Sequence, residues 1–402
     1  MFRLDAFISE YVTKRSGSMF LDDIEKNHGL LYQRIENKKV LVIGGAGSIG
    51  SSFIKSLLPF KPSALVVVDT NENALAELTR DIRATKGLFV PEEYITYPMD
   101  FATPVFERMF TARGGFDIVG NFSAHKHVRS EKDVYSIEAL LRNNVLNAKK
   151  LLDLMAKYPP EEYFCVSTDK AANPVNIMGA SKRIMEDLIF SYSDQFPVKT
   201  ARFANVAFSN GSLPAGFLQR ISKLQPISAP LDIKRYFVSP EESGQICMLA
   251  CILGRNREIF FPKLEERQMI TFDEIATNLL RQYGYQILLC QSDQEAIDRA
   301  EDLKKGSLNY PVHYEKSDTS GEKPYEEFFT VSEAVDMKRF KALGVITDKK
   351  ICDRERLNML LARLETVFTE GEIAKSEVVS ILSEYLPNFS HIETGKSLDS
   401  KM

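Results

Sequence analysis

The sequence lacks the features that mark several special classes of protein. Lysine and arginine number 51 against 55 for aspartate and glutamate, so no excess of one charge indicates nucleic acid or anionic lipid as a partner. The five cysteines show no C-x-x-C spacing, which favours reduced thiols over a disulfide framework. No apolar run approaches the roughly 20 residues that span a bilayer, and no charged-then-apolar leader opens the chain. We therefore expect a soluble, cytoplasmic protein without a membrane span.

The order of apolar segments predicts the main fold. The 402 residues, 44% hydrophobic and 26% charged, are enough for two or three domains. Residues 1–38 are polar with apolar positions at helical spacing, which predicts a helical arm. From Lys39 onward, short strands such as "KKVLVIGG", "ALVVVD" and "EYFCVSTD" alternate with helices such as "ENALAELTRDIRAT". This alternation predicts an α/β fold with a doubly wound parallel sheet of the Rossmann type over residues 39–212.

The alternation weakens after about residue 204. Loops such as "APLDIKRYFVSPEESG" predict a smaller substrate-binding region over residues 213–330, from which a strand near 257–262 returns to the first sheet. Leucines at helical spacing in "RERLNMLLARLETVF" predict an amphipathic helix. Residues 331–402 are therefore interpreted as a helical C-terminal extension that ends in a polar tail.

A glycine-rich turn joins the first predicted strand to the first helix. "GGAGSIG" places glycines at 44, 47 and 50. Gly44 permits a tight turn, Gly47 lets the backbone approach a pyrophosphate, and Gly50 lets the helix pack on the strand. Ser48 and Ile49 stand at the helix start, where free amides can bind phosphates. The position of this turn between a strand and a helix predicts a dinucleotide site.

Two acidic residues follow the next strands. Asp69 lies nineteen residues after Gly50, where a carboxylate accepts hydrogen bonds from the adenosine ribose and repels a 2′-phosphate. NAD is therefore predicted rather than NADP. The alternative is that Asp69 only caps the helix that begins near Glu72. Asp100, after the third strand, is a candidate contact to the adenine, although an ordinary loop aspartate would fit equally well.

A polar strand end is the candidate reacting site. "FCVSTDK" predicts a strand that delivers residues 167–170 to the sheet edge where ligands bind in such folds. Asp169 and Lys170 suit acid and base roles, because burial and a charged neighbour can shift both pKa values. The alternative is an aspartate at a helix start beside a solvated lysine. The helix beginning at "MGASK" places Met178 and Lys182 on one face, and a thioether cannot take a proton.

At these motifs the sequence resembles the extended short-chain dehydrogenase/reductases, and within them the UDP-N-acetylglucosamine 4,6-dehydratases of bacterial polysaccharide and glycan synthesis. The most specific match is "STDKAANP" joined to "MGASK". Further matching segments are "VLVIGGAGSIGS", "VVDTNENAL", "NFSAHKHV", "LRNNVLNAKKLL", "RFANV", "KRYFVSPEES" and "GEKPYEEF". They occur in family order over roughly residues 20–330.

The resemblance implies a reaction. NAD takes a hydride from C4 of UDP-N-acetylglucosamine, C5 loses a proton, the C6 hydroxyl leaves as water, and the hydride returns to C6. Asp169, protonated in a desolvated pocket, would be the acid at O6, and Lys170, with a pKa lowered by burial, the base at C5. Thr168 would bond O4, and Lys182 would hold the nicotinamide ribose. Because Met178 replaces the usual tyrosine, the O4 proton passes to Lys182 directly, or to Asp169 through water or Thr168.

The resemblance also implies the binding residues. Ala124 would contact the cofactor by family position. The implied nucleotide-sugar contacts are Lys126, Asn205, Arg235 and Lys323. For Arg235 the alternative is a solvated salt bridge. His125 and His127 flank Lys126, but a metal site needs convergent ligands that the sequence does not offer.

Two other functions fit part of the pattern. A UDP-hexose 4-epimerase or reductase of the same superfamily would use NAD at C4 without needing Asp169 and Lys170. A non-catalytic NAD-binding scaffold would account for Met178 but not for the retention of that pair. The expected partner is UDP-N-acetylglucosamine or a related UDP-sugar, and the chain is expected to form a homo-oligomer. The sequence leaves the C5 configuration of the product open.

Overall fold

The structure, a computed structural model, describes residues 2–318, 320–321, 323–347, 352–369 and 373–393. Its strands are β1 (Lys39–Ile43), β2 (Ala64–Asp69), β3 (Glu93–Pro98), β4 (Ile118–Asn121), β5 (Glu162–Val166), β6 (Val198–Ala201), β7 (Asn205–Val206), β8 (Ile227–Pro230), β9 (Lys234–Arg235), β10 (Phe237–Val238), β11 (Glu258–Pro262), β12 (Ile270–Thr271), β13 (Gln286–Leu289), β14 (Asn309–Glu315), β15 (Val335–Asp336) and β16 (Leu343–Ile346).

The helices lie between these strands and at both ends of the chain. They are α1 (Leu4–Phe7), α2 (Leu21–Lys26), α3 (His28–Ile35), α4 (Ser48–Leu57), α5 (Glu72–Ala84), α6 (Pro104–Ala112), α7 (Val134–Leu141), α8 (Asn147–Lys157), α9 (Ile177–Phe190), α10 (Leu213–Ser222), α11 (Pro240–Leu253), α12 (Phe272–Gln282), α13 (Asp293–Arg299), α14 (Glu301–Lys304), α15 (Arg354–Val367) and α16 (Lys375–Tyr385). Two π-helical turns, Ile8–Val12 and Arg142–Leu146, continue α1 and join α7 to α8.

The main sheet has nine strands in the part of the chain that is described, in the order β15-β16-β11-β6-β5-β4-β1-β2-β3. The strands from β3 to β11 pair in parallel. Helices join successive parallel strands, because a parallel pair needs a crossover connection. The predicted doubly wound parallel sheet is confirmed. The strand order reverses between β1 and β4, which opens a crevice at their carboxyl ends.

The sequence interpretation of residues 331–402 was incomplete. Two strands, β15 and β16, extend the main sheet beyond β11 in antiparallel pairing, where only a helical extension was expected. The segment "LGVI" of β16 is short, and a run of four apolar residues does not by itself distinguish strand from loop. The amphipathic helix predicted from its leucines is α15. The last residues of the predicted tail, 394–402, lie outside the described part of the chain.

A C-terminal hairpin, formed by α15 and α16, packs on α9. Leu357, Leu361 and Leu382 lie in the same apolar core as Ile184 and Leu188 of α9. Polar contacts accompany this packing. Arg354 donates to Asp194, Tyr385 to Asp187, and Arg142, in the turn before α8, to Glu365. Together with α7, α8 and β6, the hairpin leaves α9 buried along its length, with only Arg183 partly exposed.

A second, smaller core lies beside the main sheet. It surrounds a three-stranded parallel sheet, ordered β13-β14-β8, with α10 and α12 packed against it. The N-terminal segment reaches both cores, since Phe7 lies in the smaller core and Leu31 in the larger one. In chain order β11 comes after β8 and before β13 and β14, which form the smaller sheet. In space, however, β11 pairs with β6 of the main sheet. Among the described residues, no helix combines the length and apolar character needed to cross a bilayer.

Candidate active site

A cavity of about 710 Å³ opens where the two cores meet. It lies at the carboxyl ends of β1, β4 and β5, the place where ligands bind in doubly wound sheets. The predicted site residues that line it are Gly44, Gly47, Ser48, Ile49, Gly50, Ala124, Lys126, Thr168, Lys170, Met178, Lys182, Asn205 and Arg235. The smaller core adds Phe217 and Phe272, and Lys316, which follows β14, also lines the cavity. The fold thus brings most of the predicted residues to one cavity.

The glycine-rich turn is as tight as the sequence predicted. Gly44 has a φ of +72°, and a Cβ at this residue would lie 2.6 Å from the amide nitrogen of Ser123. A Cβ at Gly50 would lie 2.4 Å from the carbonyl oxygen of Gly44. A side chain at either position would therefore push the turn away from β4 or α4 away from the turn.

The start of α4 is suited to bind an anion. Its first helical hydrogen bond runs from Ser51 N to Gly47 O, and within the described chain the amides of residues 48–50 donate to no protein acceptor. The hydroxyl of Ser123, behind Gly44, is buried and also has no hydrogen-bond partner among the described residues. Free amides at a helix N-terminus beside a glycine turn fit the diphosphate of a dinucleotide.

Asp69 lies beside this turn rather than at a helix cap. Its carboxylate accepts hydrogen bonds from the amides of Ala46, at 3.1 Å, and Asn71, at 2.9 Å. The cap of α5 is Asn71, whose side chain accepts from the amide of Ala74. The alternative interpretation, in which Asp69 caps this helix, is therefore wrong. Asp100 accepts from the amide of Ala102 in an exposed loop and does not line the cavity.

The end of β5 carries a chain of polar contacts. The hydroxyl of Thr168 donates to the carboxylate of Asp169 at 2.8 Å. The ammonium of Lys170 donates to the same carboxylate oxygen at 3.2 Å and lies 3.7 Å from the carboxylate of Glu326. Asp169 is buried, with 3% of its surface exposed, and does not itself line the cavity, so it reaches the cavity through Thr168 and Lys170. Thr168, Asp169, Lys170 and Glu326 thus form a connected path from the cavity into the protein.

The charge state of Lys170 differs from the expectation. Burial by itself lowers the pKa of Lys170, but the carboxylates of Asp169 and Glu326 outweigh this effect and hold the pKa above its ordinary value. The expected lowering assumed burial without two anionic neighbours, one of which is distant in the sequence. Lys170 is therefore an ammonium while both carboxylates are ionised.

Met178 and Lys182 lie on α9 and face the cavity. The helix starts at the cap residue Asn176, and the amide of Met178 donates to the buried carboxylate of Glu131 at 3.0 Å. The ammonium of Lys182 donates to the carbonyl of Val166 at 3.0 Å. Burial lowers the pKa of Lys182, and the opposing effects of Cys165 and Glu186 are too weak to offset it, unlike those of the two carboxylates beside Lys170.

The predicted sugar-nucleotide contacts divide into two groups. Lys126, Asn205 and Arg235 line the cavity. Arg235 is buried and donates to the carbonyls of Lys323 and Pro324, so the solvated salt bridge is the wrong alternative. Lys323 does not line the cavity, because its ammonium donates to the carbonyl of Asn173 at 2.6 Å.

The sequence interpretation missed Asn144 and Glu326. Asn144, in the π-helical turn before α8, accepts from the amide of His125 and donates to its carbonyl, both at 2.9 Å. It also donates to Ser181 of α9 at 3.1 Å, and so fixes the loop after β4 relative to α9. The asparagine pair in "LRNNVLN" was an available signal, because polar residues are uncommon on the buried side of a helix. For Glu326 the signal was only the segment "GEKPYEEF".

A family model described as polysaccharide biosynthesis protein matches residues 40–348. The capsular polysaccharide biosynthesis protein CapD of Staphylococcus aureus is 26% identical over 312 residues, which cover 77% of this chain and 50% of CapD. The chain thus spans about half the length of that relative.

Two further relatives carry the names of different enzymes. A UDP-N-acetylglucosamine 4,6-dehydratase (inverting) of Campylobacter jejuni is 27% identical over 236 residues, covering 56% of this chain and 67% of that protein. A UDP-glucose 4-epimerase of Rickettsia canadensis is 27% identical over 238 residues, with coverage of 56% and 66%. Among solved structures, Pen from Bacillus thuringiensis has a TM-score of 0.63 at 21% identity, covering 82% of this chain and 98% of that one. This likeness establishes the fold.

Proposed function

Because the chain belongs to the polysaccharide biosynthesis protein family, we propose that it is an NAD-dependent dehydratase that converts UDP-N-acetylglucosamine to the 4-keto-6-deoxy sugar nucleotide. The observation that carries this proposal is the path of Thr168, Asp169 and Lys170 at the end of β5, which offers an acid and a base next to Lys182. Loss of water from C5 and C6 needs both groups, whereas oxidation at C4 alone does not.

The cofactor side of the cavity supports NAD. When bound, NAD supplies reversible hydride transfer, from sugar C4 and back to C6. The free amides at the start of α4 would hold its diphosphate. Asp69 would accept from the adenosine ribose, since each carboxylate oxygen can accept more than the one hydrogen bond it already has. Lys182 would donate to the nicotinamide ribose.

Thr168 and Asp169 would remove the O4 proton. The Thr168 hydroxyl already donates to Asp169, so it can accept the O4 proton while passing its own to the carboxylate. Asp169 then holds the proton that the leaving C6 hydroxyl needs to depart as water. Direct transfer from O4 to Lys182 is the second route, supported by the pKa that burial lowers. The relay explains more, because the same proton leaves with the water.

The nucleotide side of the cavity is positively charged. Lys126, Arg235 and Lys316 line it, and these side chains suit the UDP diphosphate. Arg235 is held in place by the carbonyls of Lys323 and Pro324. Lys323 would then support the site through the backbone and not as a direct contact.

A UDP-hexose 4-epimerase is the second candidate function. It is favoured by the relative of that name at the same level of identity as the dehydratase. An epimerase returns the hydride to C4 and needs neither an acid at O6 nor a base at C5, so Asp169 would serve only the O4 proton and Lys170 would have no role in it. A non-catalytic scaffold would leave the whole Thr168 to Lys170 path without a function.

The test is the product formed from UDP-N-acetylglucosamine. We expect a product that is lighter by one water, and substrate carrying deuterium at C4 should place that deuterium in the new C6 methyl group. Asp169→Asn, which cannot take up the O4 proton, should form product at least about 10²-fold more slowly. A product of unchanged mass would identify an epimerase. Deuterium lost to solvent would refute the internal return of the hydride.

A further inference from the structure

Glu326 lies directly behind Lys170. Its carboxylate is 3.7 Å from the Lys170 ammonium and 4.0 Å from that of Lys323. Only 4% of Glu326 is exposed, and it does not line the cavity, whereas Lys170 does. Glu326 therefore reaches the reacting atoms only through Lys170.

The segment that carries Glu326 is fixed at both ends. Arg235 donates to the carbonyls of Lys323 and Pro324 on one side. On the other side, the fully buried Arg202 donates to the carbonyl of Phe328 at 3.1 Å. A segment without regular secondary structure is thus held so that its one buried carboxylate meets Lys170.

The proposed reaction requires Lys170 to lose a proton before it can take one. Lys170 is an ammonium between two carboxylates, and an ammonium has no lone pair with which to accept the C5 proton. Once Asp169 has received the O4 proton it is neutral, and one of the two anions that hold the Lys170 proton is gone. Burial raises the pKa of Glu326, an effect that Lys170 partly offsets, so this carboxylate is a better proton acceptor than an exposed one.

We propose that Glu326 takes up the proton of Lys170 during each turnover, which converts Lys170 into the base for C5. This inference rests on the proposed function. Asp169 gains the O4 proton, Glu326 gains a proton from Lys170, and the neutral Lys170 takes the proton from C5. Asp169 then gives its proton back through the Thr168 hydroxyl to the leaving hydroxyl. After the hydride returns to C6, Lys170 gives its proton back to C5 and recovers one from Glu326, so the protein ends with the protons it had.

The charged groups that face Glu326 agree with this role. They are Lys170, Asp169, Arg235 and Lys323. When Glu326 and Asp169 are ionised, their two negative charges and the three positive charges of Lys170, Arg235 and Lys323 leave one net positive charge. Moving a proton from Lys170 to Glu326 removes one positive and one negative charge from a buried place, and this is favoured where desolvation penalises ions.

Glu326→Gln is the test, with Glu327→Gln as the matched control. Glutamine keeps the shape of Glu326 but cannot accept the proton, while Glu327 is exposed and bonds Asn173 outside the cavity. We expect Glu326→Gln to lose at least about 10²-fold in turnover and to accumulate reduced cofactor on mixing with substrate, because hydride loss at C4 precedes the blocked step. Its remaining turnover should rise with pH, since hydroxide can then take the Lys170 proton. Glu327→Gln should match the wild type, and Glu326→Asp should recover part of the rate.

Several results would overturn the inference. Near-wild-type or faster turnover of Glu326→Gln would show that the carboxylate only restrains Lys170. Slow turnover of Glu326→Gln without reduced cofactor would show damage to a step before the C5 proton is removed. The inference would also be wrong if Glu326→Asp melts at the wild-type temperature but recovers no rate. If the wild type itself releases no dehydrated product, the proposed function fails. If the wild type dehydrates and Glu326→Gln does so at a similar rate, only the role of Glu326 is wrong.

Discussion

Thr168→Val removes one hydroxyl from the proposed proton path and keeps the shape of the side chain. Thr168 has extended backbone angles, φ −146° and ψ 156°, which a β-branched valine adopts readily. Its hydroxyl donates to Asp169 at 2.8 Å and accepts from the amide of Lys170 at 3.5 Å. A lost hydrogen bond costs folding about 0.5–1.5 kcal/mol, so the valine variant should still fold.

The effect on the reaction should be much larger than the effect on folding. Without the hydroxyl, the O4 proton has no carrier to Asp169, and a positioned proton transfer contributes about 10²–10⁴ in rate. That loss corresponds to about 3–5 kcal/mol in activation free energy. Thr168→Ser keeps the hydroxyl and should retain most of the turnover.

The assay follows product mass under steady-state conditions, with thermal melting of each variant to check its fold. Absorbance of reduced cofactor on mixing with substrate separates the steps. It should be absent in Thr168→Val, because the hydride cannot leave C4 while O4 keeps its proton. In Glu326→Gln the same signal should accumulate. Near-wild-type turnover of Thr168→Val would refute the relay and assign the O4 proton to Lys182.

Two further predictions concern Met178 and Asp69. Met178→Leu should keep most of the turnover, because the thioether is 2% exposed and contributes packing; a loss as large as that of Asp169→Asn would contradict this. Asp69→Ser combined with Thr70→Arg should weaken NAD binding and improve NADP binding in calorimetric titrations. An unchanged ratio of the two affinities would mean that Asp69 only stabilises the glycine-rich turn, by accepting the hydrogen bond from the amide of Ala46.

The parts of the fold that the sequence predicted well depend on contacts close in the chain. The turn from β1 to α4 needs a glycine at position 44 because the backbone of Ser123, just after β4, lies against it. Its spacing is nevertheless set within seven residues, and the strand and helix on either side have clear periodicity. The same holds for the end of β5 and the start of α9, where a polar cluster follows a buried strand.

The parts that it predicted poorly depend on partners far along the chain. β16 is a short strand that pairs with the edge of β11, and β15 in turn pairs with β16; nothing local in "LGVI" specifies either partner. The pKa of Lys170 is a similar case. Its neighbour Asp169 is adjacent in the sequence, but Glu326 arrives from a loop whose position is set by Arg202 and Arg235. Local patterns cannot report such a charge.

The C-terminal hairpin has a consequence for synthesis of the chain on the ribosome. α9 is complete once Phe190 has been made, but part of its cover, at Asp187 and at the following Ser191, comes from Tyr385 of α16 and Arg354 of α15. The roughly 200 residues in between take about 10–40 s to add at typical translation rates of about 5–20 residues per second. During that interval the side of α9 around Asp187 lacks this cover, although α7, α8 and β6 already pack against other parts of the helix. A pause in translation before α16 emerges lengthens the time in which two nascent chains can meet through this helix.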